Sequence, residues 1–180
     1  MNFQENYLSS VIFEFHRYKT MGDKTFVQLT DEDILWIHSA TDNSIAIIVK
    51  HMAGNMLSRW TNFLIEDGEK PWREREIEFE ATYTSKNEML EAWEKGWNCL
   101  FDALEEMKTL DFDTKIKIRK EEHTLVEAVN RQLAHYSSHV GQIVLLGKMI
   151  KGSQWKSLSI PKGGSDAFNK RMFGKSHGPF

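Results

Sequence analysis

Apolar residues recur every three or four positions along most of the chain, and the gaps between those runs divide it into four long helical segments and a tail. Phe3, Tyr7, Val11, Phe15 and Tyr18 predict a first helix from about Phe3 to Leu29. A polar hinge, Thr30-Asp31-Glu32-Asp33, and a short apolar stretch through Trp36 follow. The second helix is predicted to start after Asn43 or Ser44, both good caps. It carries Ile45, Ile48, Met52, Met56 and Phe63, and should stop at Gly68, with Pro71 just beyond. A third helix begins at Ser85, with Glu88 three residues on in capping-box position, and its bulky stripe is Leu90, Trp93, Trp97, Phe101 and Leu104. Beside that stripe run Ala92, Gly96, Cys99 and Ala103, small residues that would let another helix or a second copy of the chain approach closely. Strict alternation in Lys115-Ile116-Lys117-Ile118-Arg119-Lys120 predicts a short extended segment. The last long helix is predicted from Thr124, capped with Glu127, to about Lys151; Leu125, Ala128, His135, His139, Ile143, Leu146 and Ile150 form its stripe, and Gly152 ends it. The expected fold is all-α, a four-helix bundle with an extended segment before its last helix. Residues 1–180 read as one domain, with 151–180 a tail that Trp155, Leu158 and Ile160 could pack on the bundle.

Three prolines in 180 residues leave such helices few breakers, and the chain is long enough to bury a proper core. The net charge of −3 comes with no basic block, so nucleic acid is not an expected partner. No apolar run reaches the roughly 18 residues that a membrane span needs. The first residues lack the charged and apolar regions of a signal peptide. A single cysteine, Cys99, excludes an internal disulfide and fits a reducing cytoplasm. Its place in the small-residue stripe makes it a packing residue rather than a reactive one.

Three histidines carry the candidate chemistry. His135 and His139 are four residues apart, slightly more than one helical turn, so both imidazoles leave the same face. His51 lies on the second predicted helix, and if the two helices pack together, three neutral nitrogens can meet at one divalent metal. Three protein ligands leave a position open for water or substrate, as in catalytic zinc sites. Taken singly, each histidine is more simply a hydrogen-bonded core or boundary residue, and His-x-x-x-His often arises by chance. The neighbours raise the odds: Gln142 falls on the face of the pair, and Asn55 is one turn beyond His51, where either amide could orient an imidazole or hold a substrate. Tyr136, Ser137 and Ser138 between the paired histidines exclude the zinc-protease pattern, which needs Glu after the first His. The absence of Glu-x-x-His disfavours a di-iron carboxylate centre. His16, His38, His123 and His177 have no comparable spacing and read as surface or local-structure residues.

The chain resembles the DinB/YfiT-like superfamily of metal-dependent four-helix bundles over essentially its whole length. The resemblance rests on His51-Met52-Ala53-Gly54-Asn55, Arg59-Trp60, Asp67-Gly68-Glu69-Lys70-Pro71-Trp72, and Ala134-His135-Tyr136-Ser137-Ser138-His139-Val140-Gly141-Gln142-Ile143. It is closest in pattern to the branch of DinB-like proteins of unknown function. The resemblance implies one divalent ion held by His51, His135 and His139. Relatives with assigned activity are transferases and isomerases that use low-molecular-weight thiols such as bacillithiol, mycothiol or glutathione. It also implies a homodimer, which the small-residue face of the third helix would permit.

Three functions follow as expectations. The first is a thiol S-transferase in which the metal favours the thiolate of a small thiol that attacks an electrophilic substrate. The second is a metal-dependent hydrolase using activated water, for which Glu127 and Glu122 are the nearest candidate bases, though they read more simply as cap and surface residues. The third is a non-enzymatic metal-binding stress protein. Zinc or nickel is the expected ion, with iron and manganese as further options. Arg59 is either a clamp for a carboxylate of thiol or substrate, or a plain surface arginine. Trp155 to Gly164 has the Gly and Ser density of a loop over a site entrance, or of an ordinary wrap, and Lys162 and Lys170 could attract an anionic substrate or simply be solvated.

Overall fold

The computed structural model describes residues 2–80 and 83–174. Four long helices dominate: α1 (Phe3–Phe26), α3 (Ile45–Trp60), α4 (Lys86–Glu106) and α5 (Leu125–Lys151). Two short helices, α2 (Asp31–Leu35) and α6 (Ser165–Phe173), and a two-stranded antiparallel sheet of β1 (Lys115–Ile118) and β2 (Glu121–Thr124) complete it. Both α1 and α3 contact α4 and α5, so the long helices close a ring around one core. Phe15, Phe26, Trp93, Trp97 and Tyr136 fill that core, with Trp93 edge-on to Phe26 and Trp97. Among the described residues, no helix is long and apolar enough to cross a membrane.

The helix starts follow the capping chemistry of the sequence. Ser44 caps α3 by accepting the Ile47 N–H. Thr124 and Glu127 form a reciprocal capping box on α5. At α4 the box is shifted: Ser85 accepts the Glu88 N–H, but the Glu88 carboxylate turns back to the N–H and hydroxyl of Thr84. The predicted hinge at Thr30 is itself a helix start, because Thr30 and Asp33 satisfy each other's backbone N–H groups and open α2.

One expectation needs correction. The second predicted helix does not reach Gly68 but ends at Trp60, where Thr61 is extended and Asn62 adopts φ 49°, a left-handed conformation that Asn tolerates better than most residues. Phe63 keeps its buried place from a turn rather than a helix, which is why apolar spacing alone overran the boundary. On the small-residue face of α4, Gly96 packs against α3, the helix neighbour that was one of the two readings of that face. A Cβ on Gly96 would lie 3.0 Å from the Ala53 backbone and 3.2 Å from the Met56 sulfur.

The loop after α3 docks on the sheet through Asp67. The turn residues Arg119 and Lys120 both have positive φ, 55° and 68°, as a two-residue hairpin requires, although neither is Asn or Gly. The Asp67 carboxylate accepts both of their backbone N–H groups, at 2.8 and 2.7 Å, and so holds this costly turn. Burial pushes the Asp67 carboxyl up, but hydrogen bonds from Glu69, Lys120 and Arg119 outweigh it and hold the group below its ordinary 3.8. After α5, the tail runs along α1 and α5. Trp155 lies over Gly147, Gln28 pairs with both backbone groups of Lys156, and Leu158 is half-buried, whereas Ile160 is exposed. The helical stretch α6 was not expected from its Gly-, Ser- and Lys-rich setting.

Two measurements test these packing arguments. Chemical unfolding should show Gly96→Val destabilised by about 1–3 kcal/mol through overpacking. Gly141→Ala, at an exposed helical position with nothing within 4 Å, should gain about 0.5–1 kcal/mol. The depressed carboxyl of Asp67 stabilises the fold above its unfolded pKa, and that contribution is lost as pH falls through the folded value. Asp67→Ala should therefore cost about 1 kcal/mol near neutral pH, with the gap from wild type closing below pH ~4.

Candidate metal centre

The packing of α3 on α5 brings three imidazoles to one point. His51 is buried on α3; His135 and His139, on one face of α5, are half-buried. Nε2 of His135 lies 3.3 Å from Nε2 of His51 and 3.0 Å from Nε2 of His139. Three bonds of metal–imidazole length would set their nitrogens about 2.9 Å apart in an octahedral face or about 3.3 Å apart on a tetrahedral edge. These two separations span that range, and the third pair lies within 4.8 Å. These three residues form a cluster that could hold a metal ion, with all ligand atoms within 4.8 Å of one another.

What lies behind each ring decides which nitrogen points inward. His51 Nδ1 is 3.0 Å from Oε2 of Glu78, His139 Nδ1 is 2.9 Å from Oε1 of Gln142, and His135 Nδ1 is 3.4 Å from Oε1 of Gln132. An oxygen acceptor draws the ring proton to Nδ1 and leaves the Nε2 lone pair facing the other two rings. Three lone pairs at this distance repel unless something positive sits between them. One proton could bridge only one of the contacts, whereas a divalent cation satisfies all three. Burial, with the neighbouring His139 and His51, pushes His135 down to about 4, and burial also lowers His139 against the opposing Gln142 hydrogen bond. Both rings are thus neutral ligands near pH 7.

The support of His51 runs deeper. Glu78, on a 3-10 turn at Glu76–Phe79, receives two hydrogen bonds from the Arg73 guanidinium, at 2.6 and 2.9 Å. Burial raises the Glu78 carboxyl, but the His51 and Arg73 contacts prevail and keep it below its usual range. The turn is anchored to α3 by Lys50, which donates to the Ile77 and Glu80 carbonyls. Gly54 makes this approach possible, since a Cβ there would come within 2.4 Å of the Glu78 carboxylate. Phe79 stacks on the outer face of the His51 ring, 5.5 Å between centroids.

Of the other residues singled out in the sequence, Gln142 meets His139 directly. Asn55 makes no hydrogen bond to His51: it accepts one from Tyr136, whose oxygen in turn accepts one from Trp60. Arg59 is not a surface arginine. It is 3% exposed, and its Nε and Nη1 are buried with no hydrogen-bond partner. Burial lowers its pKa, yet a guanidinium stays charged at any physiological pH. Glu127 serves only as a helix cap, and Glu122 faces solvent on β2. His16 stacks on Phe101 and His38 is exposed, while His177 lies outside the described residues. Cys99 is half-buried, and burial raises its thiol pKa; it borders an open depression of about 870 Å³ between α3 and α4 that contains none of the clustered histidines. A thiol that resists ionisation is a poor nucleophile.

Arg73, Glu78, Gln132 and Tyr136 were not foreseen as parts of the site. Gln132 is three residues before His135, as Gln142 is three after His139, and that symmetry was available in the sequence. Glu78 was not separable from Glu74, Glu76 and Glu80, which alternate with it in the same stretch. The hydrogen bonds behind the rings carry a direct expectation. Gln142→Ala and Glu78→Gln should each weaken zinc binding about 10–100-fold in a competitive chelator titration. Gln142 is exposed, so its variant should do so without loss of folded stability.

No curated protein and no solved structure matches the chain at a significant level. Residues 2–164 match the family described as protein of unknown function (DUF1572), which spans α1 through the start of the tail and includes the whole histidine cluster. The chain belongs to that family.

Proposed function

We propose that this protein is a divalent-metal-dependent enzyme of the DinB/YfiT-like four-helix-bundle type, with His51, His135 and His139 as the ligands and a small thiol as the nucleophile in an S-transfer reaction. The observation that carries this reading is the convergence of three oriented Nε2 atoms beside a cavity of about 300 Å³ that reaches His51 and His135. An all-imidazole set suits zinc, nickel or iron better than manganese. An ion held there would supply the positive charge that lets a thiol react as its thiolate at neutral pH.

The chain's own residues favour thiol transfer over hydrolysis. Hydrolysis calls for a free carboxylate or imidazole to take a proton from water. Among the described residues, no Asp or Glu lines the cavity. Glu78, the nearest buried carboxylate, is held on both oxygens by Arg73 and His51. A thiol, with an ordinary pKa of about 8.5 against about 15.7 for water, gives up its proton to solvent on binding with less help from a base than water needs. Cys99 is remote from the cluster, so the thiol must come from a second molecule.

Cobalt(II) substitution tests this. Titrating the cobalt-loaded protein with glutathione and other small thiols should produce a thiolate-to-cobalt charge-transfer band in the near ultraviolet, absent in a His51→Ala, His135→Ala, His139→Ala variant. Cobalt binding with no such band for any thiol would remove the transferase reading and return the site to hydrolysis or plain metal binding.

A further inference from the structure

The cavity beside the histidines has an unusual wall. The chain has seven arginines among its 23 basic residues, and four of the seven, Arg59, Arg75, Arg119 and Arg131, line this one space together with His51 and His135. Among the described residues, no lysine and no carboxylate lines it. In a protein of net charge −3, that concentration is not the outcome of a generally basic surface. Planar guanidinium forks match carboxylate and phosphate oxygens two at a time, whereas lysine acts as a point charge.

Two features set this apart from a chance cluster of solvated side chains. Arg59 is buried at 3% exposure, and two of its nitrogens have no hydrogen-bond partner, so a charge has been taken out of water while Glu69 and Asp67 act on it only through space, with no direct ion pair. Such a charge is costly unless it is paired. Arg119 sits in the left-handed turn that Asp67 holds in place, where Gly or Asn would fold at lower cost. Residues in sparsely populated backbone conformations cluster at functional sites. Arg119 is shared with Glu69 at 3.1 Å, which leaves Arg59, Arg75 and Arg131 to offer charge to the cavity.

We infer that this cavity is an oxyanion-binding pocket, and that the molecule brought to the histidines carries a carboxylate or phosphate group with more than one negative charge in total. At about 300 Å³ the space takes a small metabolite rather than a polymer. Its position makes the arginines the anchor and the histidine side of the cavity the place of reaction. This meaning rests on the metal-enzyme reading above, but the pocket itself does not need a metal to be tested. Lys162 and Lys170, in the tail, do not line it.

The test uses the metal-free full-length protein at low ionic strength, titrated calorimetrically with inorganic phosphate and with succinate. At least one should bind saturably, and the preferred anion identifies which oxyanion the pocket serves. Arg131→Gln and Arg75→Gln, both at exposed positions, should each weaken binding at least fivefold while thermal unfolding stays unchanged. Arg59→Gln should weaken it more, and Lys162→Gln not at all. Absence of saturable binding of both anions, or equal affinity in wild type and the two exposed arginine variants, overturns the inference. Anion binding that appears only after zinc loading and ignores the arginines overturns it too, yet leaves the metal reading standing. Binding by the arginines in a protein that takes up no zinc upholds the pocket and removes the metal reading instead.

Discussion

Three imidazole nitrogens held 3.0 and 3.3 Å apart, with their protons drawn to the opposite side of each ring, form an arrangement that neutral histidines do not adopt for their own stability. Each oxygen behind a ring, from Glu78, Gln132 and Gln142, turns another lone pair inward. The packing of α3 against α5 then forces those lone pairs together. Much else in the molecule serves this geometry. α4 fixes α3 through the close contact at Gly96, and α1 closes the ring that fixes α5.

The surroundings of the cluster show why it can persist. Glu78 and Arg73 are both buried, and an ion pair there is retained only when its remaining hydrogen-bonding capacity is used. Glu78 spends that capacity on His51, which couples the segment between α3 and α4 to the orientation of one ring. Tyr136 does similar service on the other side: fully buried between the paired histidines in sequence, it ties Asn55 to Trp60 and pins α5 to α3 at the level of the site. The arginines beyond lie on α3, α5, the hairpin turn and the segment after Pro71. Four separate pieces of chain must therefore be in place before the cavity exists.

Helix positions and the three clustered histidines were legible because both depend on local spacing. A period of three to four residues marks α1, α4 and α5, and Ser or Thr caps mark three helix starts. The end of α3 was not legible, since Phe63 is buried whether it lies in a helix or in the turn after Asn62. The turn residues Arg119 and Lys120 carry no turn signal of their own, because the carboxylate that holds them is more than fifty residues away, at Asp67. The same holds for the pocket. Its arginines are scattered from Arg59 to Arg131, and only the tertiary fold brings them together.

The most direct measurement is the metal content of the tag-free protein, before and after zinc or nickel loading, set against the variant in which His51, His135 and His139 are all alanine. One divalent ion per chain, absent from the variant, is the result this account predicts. A wild-type protein that takes up no ion under loading would mean that the three nitrogens are bridged by protons alone, and that the cluster is a polar feature of the core rather than a metal centre.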